Sequence, residues 1–214
     1  MDEEIKLIDT KTTSEKIRSF FLDNKKILIS AFVLGILIIL SFYYFQTYKS
    51  KQRELISNKY NTVVMDYKDA NNAEIASSLK EIIMNKDSTY SPLALYFIID
   101  NKLIDNRDEI NSLFDILINK TSLEEEIKNL IIYKKALFNA DFIEENLLLE
   151  ILNPLINSQS VWKSHALYLV AEYFYSKNEK KKSKEFFSLI LNLDNSNQDI
   201  AKEAQKRLNR DLSD

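Results

Sequence analysis

Apolar and polar positions along the chain form one long uncharged run, then a series of shorter stretches with helical spacing. The run Ile27–Phe45, ILISAFVLGILIILSFYYF, carries no charge. As a helix it spans roughly 28 Å, close to the hydrocarbon thickness of a bilayer at about 30 Å. Each Leu, Ile, Val or Phe in it favours insertion by roughly 0.3–0.6 kcal/mol. Lys25 and Lys26 flank its start, Tyr43 and Tyr44 fall where an aromatic belt lies, and Lys49, Lys51 and Arg53 follow. A buried core helix is rarely apolar all round. A cleaved signal peptide has a shorter apolar core and a small-residue cleavage site, which Tyr43–Tyr48 does not offer. The pattern predicts a short segment 1–26, a transmembrane helix 27–45 and a helical domain 46–214. In the first segment, Ser14 is a candidate cap for a helix carrying Ile17, Phe20 and Phe21 on one face. That face either lies in the membrane interface or is a spare apolar patch on a tail.

Beyond Phe45 the spacing stays helical. Leu55, Ile56, Tyr60, Val63, Val64 and Tyr67 extend the anchor helix to about Tyr67, where Asn71-Asn72 breaks it. Ile75, Leu79, Ile82 and Ile83 mark the next helix. Pro92, following Ser91, suits the first turn of another. Asp105-Asn106 is a turn before Ile110, Leu113, Phe114 and Leu117. Ser122 with Glu125 reads as a capping box opening a helix through Leu137. Asp141 opens a shorter one ended by Asn153-Pro154. The last three helices are expected over Val161–Ser176, Lys180–Asn192 and Ile200–Leu212. No stretch alternates over strand length, so the fold class is all-α.

Composition narrows the function classes. The single glycine, Gly35, lies inside the apolar run, so the domain beyond it has none. Phosphate-cradling loops and dinucleotide folds need glycine where backbone approaches ligand, which argues against them. Cysteine is absent, which excludes disulfides and thiolate metal sites. A net charge of −3 gives no basic excess for nucleic acid. The expectation is a non-enzyme with no cofactor.

Antiparallel helix pairs joined by short turns predict a helical-repeat array. The clearest pair, YLVAEYFYSKNEKKKSKEFFSLILNLDN over Tyr168–Asn195, resembles a tetratricopeptide repeat. Ala171 and Phe174 fall at the packing positions of its first helix, and Ser183, Phe187 and Ile190 at those of its second. Asn178 stands at the usual turn glycine, a position Asn tolerates. Ile190 replaces a usual alanine and Asn195 the closing proline. Earlier pairs keep the rhythm but not the motif, so the array is irregular.

The whole layout resembles a family of bacterial ancillary Sec-translocon subunits with a tetratricopeptide-like periplasmic domain. Arg18-Ser19-Phe20-Phe21 and Asn24-Lys25-Lys26 lead into the span, Gly35 sits mid-span, and aromatics Phe42–Phe45 follow. The resemblance is loose between Tyr67 and Pro154. It implies an inner-membrane protein with a cytoplasmic N-terminus and a periplasmic domain. The implied partners are translocon subunits and periplasmic chaperones or emerging chains. Lysine and arginine, five in the 20 residues before Ile27 against four in the 20 after Phe45, lean the same way. Alternatives are a structural adaptor for cell division or envelope assembly, and a cytoplasm-facing membrane-anchored adaptor.

Candidate chemistry is sparse. His165, the one histidine, has no second His or Cys for a metal and reads as structural. Glu124-Glu125-Glu126 and Glu144-Glu145 suit first helical turns. Lys180-Lys181-Lys182 with Lys184 reads as a solvated face more than an anion contact. Asn119-Lys120-Thr121 matches a glycosylation sequon by chance in so Asn-rich a chain. Among the crowded aromatics Trp162, Tyr168, Tyr173, Phe174, Tyr175, Phe186 and Phe187, core packing explains most. Tyr173 lies on a different face from Phe174 and is the candidate groove residue.

Overall fold

The structure, a computed structural model, describes residues 15, 17–67 and 71–212. These residues are helical with short connections and no strand among them. The chain divides into two compact units, Met1–Leu55 and Ile56–Asp214.

In the first unit, residues 17–23 are helical and a turn at Asn24 leads into α1 (Lys25–Asp66). Asn24 keeps the turn tight, its backbone and side-chain N–H groups both donating to the Phe20 carbonyl. Ser14, the expected cap of this stretch, lies outside the described residues. The apolar run sits within α1, and none of the most apolar window is buried. The helix is long and apolar enough to cross a membrane.

The second unit holds the end of α1 and eight further helices among the described residues. They are α2 (Asn72–Met84), α3 (Tyr90–Asp100), α4 (Arg107–Lys120) and α5 (Glu125–Asn139). Then come α6 (Glu145–Ile156), α7 (Lys163–Ser176), α8 (Lys180–Leu191) and α9 (Gln198–Asp211). From α2 onward each helix packs on the next, and α2 also reaches α4, α5 reaches α7, and α7 reaches α9. That nearest-neighbour order is the layout of a helical-repeat array.

Three apolar cores follow one another along the unit. The first joins Val63, Leu79, Leu95, Phe114 and Ile131, from α1 to α5. The second joins Ile132 and Ala136 to Leu152, Val170 and Phe174, from α5 to α7. The third joins Leu167 and Ala171 to Phe187, Ile190 and Ala204, from α7 to α9. Helices α5 and α7 therefore each serve two cores, which requires apolar residues on two faces. Residues 166, 170 and 174 of α7 turn to one core while 167 and 171 turn to the other.

Helix ends are set by Asn and Asp more than by hydroxyls. Asn71, Asn106 and Asn197 each accept backbone N–H bonds at the start of α2, α4 and α9. At α3 the acceptor is Asp87, which takes the N–H groups of Thr89 and Tyr90, so the helix opens at Tyr90 and Pro92 is its third residue.

Three expected boundaries need correction. Ser122 does not form a capping box: the chain stays extended at Thr121 and Glu124 while Leu123 packs on the first core, and α5 opens at Glu125. Asp141 does not open α6, which starts at Glu145. Arg107 donates to the Phe138 carbonyl and lies over the Phe138 and Phe142 rings, holding the intervening residues in a turn. Nor does Pro154 end α6. It sits in the last turn, and the helix runs on to Ile156.

Turns without glycine use other residues in the left-handed region. Asn178 has φ 63°, Lys86 56° and Lys102 50°. At the end of α7, Asn178 N–H donates to Tyr175 and Glu179 N–H to Phe174. At the end of α3, Lys102 donates to Ile99 and Leu103 to Ile98 in the same pattern. Both are helix ends of the kind that ordinarily take glycine.

Candidate interaction surface

The expected repeat positions lie inside. Ala171, Ser183, Phe187 and Ile190 are fully buried and Phe174 is 1% exposed. They divide between cores: Ala171, Phe187 and Ile190 in the third, Phe174 in the second, stacked on Phe186 at 5.5 Å. Ser183 is too close to its neighbours to reach water, and its hydroxyl has no hydrogen-bond partner.

Tyr173 does not line a groove. It is 6% exposed, and its hydroxyl donates to the Ile143 carbonyl at 3.1 Å. It belongs to the same core as Phe174, the two rings meeting edge to face at 5.8 Å, so that one core takes both residues.

Half-buried aromatic residues gather on α3, on α5 and at the start of α7. On α5, Ile127, Leu130, Lys134 and Leu137 form one stripe at helical spacing, with Ile127 41% and Leu137 53% exposed. Lys134 lies over the Tyr96 ring of α3 at 4.4 Å, a cation–π contact that ties the two helices. One position earlier, Tyr133 stacks on Trp162 at 5.8 Å and meets His165 edge-on at 5.8 Å. Trp162 and His165 are themselves 5.0 Å apart. Burial pushes the Tyr96 hydroxyl up to about 12 and raises Tyr133, so both stay neutral. Burial likewise lowers His165, opposed by a backbone hydrogen bond with Val161. Tyr133, Trp162 and His165 thus form a half-buried cluster between α5 and the start of α7, and Tyr96 with Lys134 a second contact between α3 and α5.

Ion pairs tie other helices together. Lys80 meets Glu109 at 2.8 Å between α2 and α4, and Lys135 meets Asp115 at 2.7 Å between α4 and α5. Lys182 reaches both Glu145 and Glu179 at 2.9 Å, linking α8 to α6. The run Lys180–Lys182 is thus divided: Lys182 is an inter-helix tie and Lys181 is exposed. The acidic clusters fall at helix starts, Glu124 and Glu144 as caps and Glu125, Glu126 and Glu145 in first turns. Glu126 also accepts from the Ser160 hydroxyl at 2.8 Å. Thr121 of the sequon match is buried, its hydroxyl donating to Ile116.

In the first unit, Phe20 and Phe21 are 57% and 58% exposed and pack edge to face on each other at 6.1 Å. Lys25, Lys26, Tyr43 and Tyr44 are exposed, and a Cβ at Gly35 would meet nothing within 4 Å.

Residues 18–103 match a family model described as a tetratricopeptide repeat-like domain. The match covers less than half the chain, taking in α1, α2, α3 and the residues just after α3. It falls on a different part of the chain from the pair at Tyr168–Asn195. No curated protein and no solved structure matches the chain. The fold is all-helical and tetratricopeptide-like, with one apolar helix near the N-terminus. Arrays of this kind typically serve as non-catalytic interaction modules. Among the described residues no group of three or more His, Cys, Asp or Glu stands together to hold a metal.

Reading the sequence missed Tyr96, Tyr133 and Lys134. The signal was present in α5, where Ile127, Leu130 and Leu137 mark one face while Ile131, Ile132 and Ala136 mark others. Two cores use the latter set and leave the former over.

Proposed function

We propose that this chain is a membrane-anchored, non-catalytic protein-interaction module of the bacterial inner membrane. Residues 1–26 lie in the cytoplasm, 27–45 cross the bilayer and 46–214 form a periplasmic domain. The module links the Sec translocon to periplasmic chaperones or emerging chains. The observation that carries the reading is an apolar helix with no buried window, belonging to the same family-model match as the first helices of the array. The match opens at residue 18, where the resemblance to ancillary translocon subunits also begins.

Tethering fits such a role, because confinement near the membrane raises the effective concentration of a membrane partner. The stripe Ile127–Leu130–Lys134–Leu137 with its neighbouring aromatics supplies a surface for protein contact. Of the residues there, Tyr133 and Trp162 are of the types enriched at binding hot spots.

Photo-crosslinkers at Phe21 and Gly35 are expected to capture translocon subunits, and one at Leu137 a soluble envelope protein. A periplasm-dependent reporter fused after Asp214 should be active. A reporter that works only in the cytoplasm overturns the topology. Full complementation of a deletion by the untethered domain overturns the mechanism.

A further inference from the structure

The helix that carries the apolar run does not stop at the edge of that run, and the residues just past it have a charge of their own. Helix α1 continues unbroken from Phe45 to Asp66. Over residues 46–55 it carries Lys49, Lys51 and Arg53 against one acid, Glu54, in a chain whose net charge is −3. All three cations are exposed. The next cation, Lys59, lies about one and a half turns further along and pairs with Glu81 at 2.6 Å. Tyr43, Tyr44 and Tyr48 sit immediately before the cations, 72%, 74% and 55% exposed.

Height along the helix gives these residues a meaning. At 1.5 Å per residue, Lys49, Lys51 and Arg53 stand about 6, 9 and 12 Å beyond Phe45. The headgroup layer on one side of a bilayer is about 5–8 Å deep, so it begins at the tyrosines and ends among the cations. Long Lys and Arg side chains bend back toward phosphate while their stems stay along the helix. Lys49 and Arg53 lie one turn apart on one side, and Lys51 projects to the other, so positive charge surrounds the helix. A cation at that depth gains about 1 kcal/mol from an anionic surface and nothing comparable from a zwitterionic one.

We propose that Tyr43–Arg53 is a recognition collar for acidic phospholipid, with tyrosines at the hydrocarbon edge and Lys49, Lys51 and Arg53 on the headgroup phosphates. The inference rests on the reading of 27–45 as a membrane span and adds the lipid class that the chain collects around itself.

The test uses the full chain in nanodiscs of phosphatidylcholine with trace spin-labelled phosphatidylglycerol or phosphatidylcholine, reading the motionally restricted fraction of each. The wild type is expected to favour phosphatidylglycerol about fivefold, the ratio that about 1 kcal/mol gives. K49Q/K51Q/R53Q and high salt should bring the ratio near one, while K180Q/K181Q, outside the collar on helix α8, should leave it unchanged. A triple variant that keeps the preference overturns the collar, as does a wild type that restricts both lipids equally. A chain that restricts neither lipid and washes from membranes in alkaline carbonate overturns the span itself, and the collar with it.

Discussion

Arg207 of α9 grips Glu172 of α7 with two parallel hydrogen bonds, Nε to Oε1 at 2.7 Å and Nη2 to Oε2 at 2.6 Å. The same guanidinium pairs with Asp211 and lies over the Tyr175 ring at 4.2 Å. Glu172 in turn acts on Tyr168, whose hydroxyl is pushed up to about 12 by burial first and by that carboxylate second. Helix α9 also presents an apolar face, with Ala204 fully buried and Ile200, Ala201 and Leu208 packed on the third core. The charged fork adds a polar tie to that apolar contact.

It follows that Arg207→Lys should loosen α9 while sparing the rest. Lysine keeps the charge but cannot make two parallel bonds or stack on Tyr175. The expected cost is about 1–2 kcal/mol, in the range for charge-assisted bonds. Hydrogen exchange should show α9 amides losing protection before those of α7. Unchanged α9 protection would mean that Ala204, Ile200 and Leu208 suffice to hold the helix.

Left-handed lysines give a second prediction. Lys86 and Lys102 occupy a backbone region that costs a side-chain-bearing residue roughly 1–2 kcal/mol and glycine almost nothing. After glycine's larger chain entropy is subtracted, Lys86→Gly and Lys102→Gly should each stabilise by about 0.5–1 kcal/mol. Asn178→Gly should change less, because Asn tolerates the conformation. Urea unfolding of the full chain in mild detergent measures all three, and destabilisation by both lysine variants would contradict the assignment.

His165 sets a pH dependence. Its imidazole is packed on Trp162 and Tyr133, and desolvation lowers its folded pKa below the ordinary 6.5. Below pH 6.5 the unfolded chain takes up the proton more readily than the folded one. Stability is thus fully present above that pH and is lost as pH falls from 6.5 through the folded pKa. His165→Phe, which keeps an aromatic ring, should flatten urea stability between pH 7.5 and 5.5. An equal slope in both proteins would assign the pH dependence to other groups.

These residues also show how far local sequence carries. Periodicity placed α7, α8 and α9 to within two residues, because each ends where an Asn or a run of polar residues interrupts it. Asn178 was legible as a left-handed turn from its place in the repeat. Lys86 and Lys102, in the same conformation, were not: lysine carries no turn signal, and the chain around them fixes the backbone. Asp141 and Ser122 look like caps locally, but Arg107 and Leu123 decide those boundaries through contacts distant in sequence or directed into the core. Tyr173 was misread for a related reason. A helical wheel separates it from Phe174, yet both rings enter the same core, which is wide enough on α7 to take neighbouring positions.

Ser183 offers the sharpest test of the repeat-like pair. It sits on α8 without any exposure, in the position where the pair needs a small residue, and its hydroxyl makes no hydrogen bond. Two opposite substitutions separate size from polarity. Ser183→Ala removes the unsatisfied hydroxyl at almost constant volume and should be neutral or stabilising, since a buried unmade bond costs about 1–3 kcal/mol. Ser183→Leu also removes the hydroxyl but puts three carbons in its place in a filled space. It should cost roughly 1–3 kcal/mol, the range for overpacking. Lys181→Leu, two positions earlier on the same helix and exposed, adds similar apolar bulk where there is room and should shift stability far less. Thermal or urea melting of the full chain orders the four proteins: Ala at or above wild type, Lys181→Leu close to it, Ser183→Leu clearly below. If Ser183→Leu melts with the wild type, α7 and α8 do not approach closely at this residue, and the packing assigned to the pair is wrong.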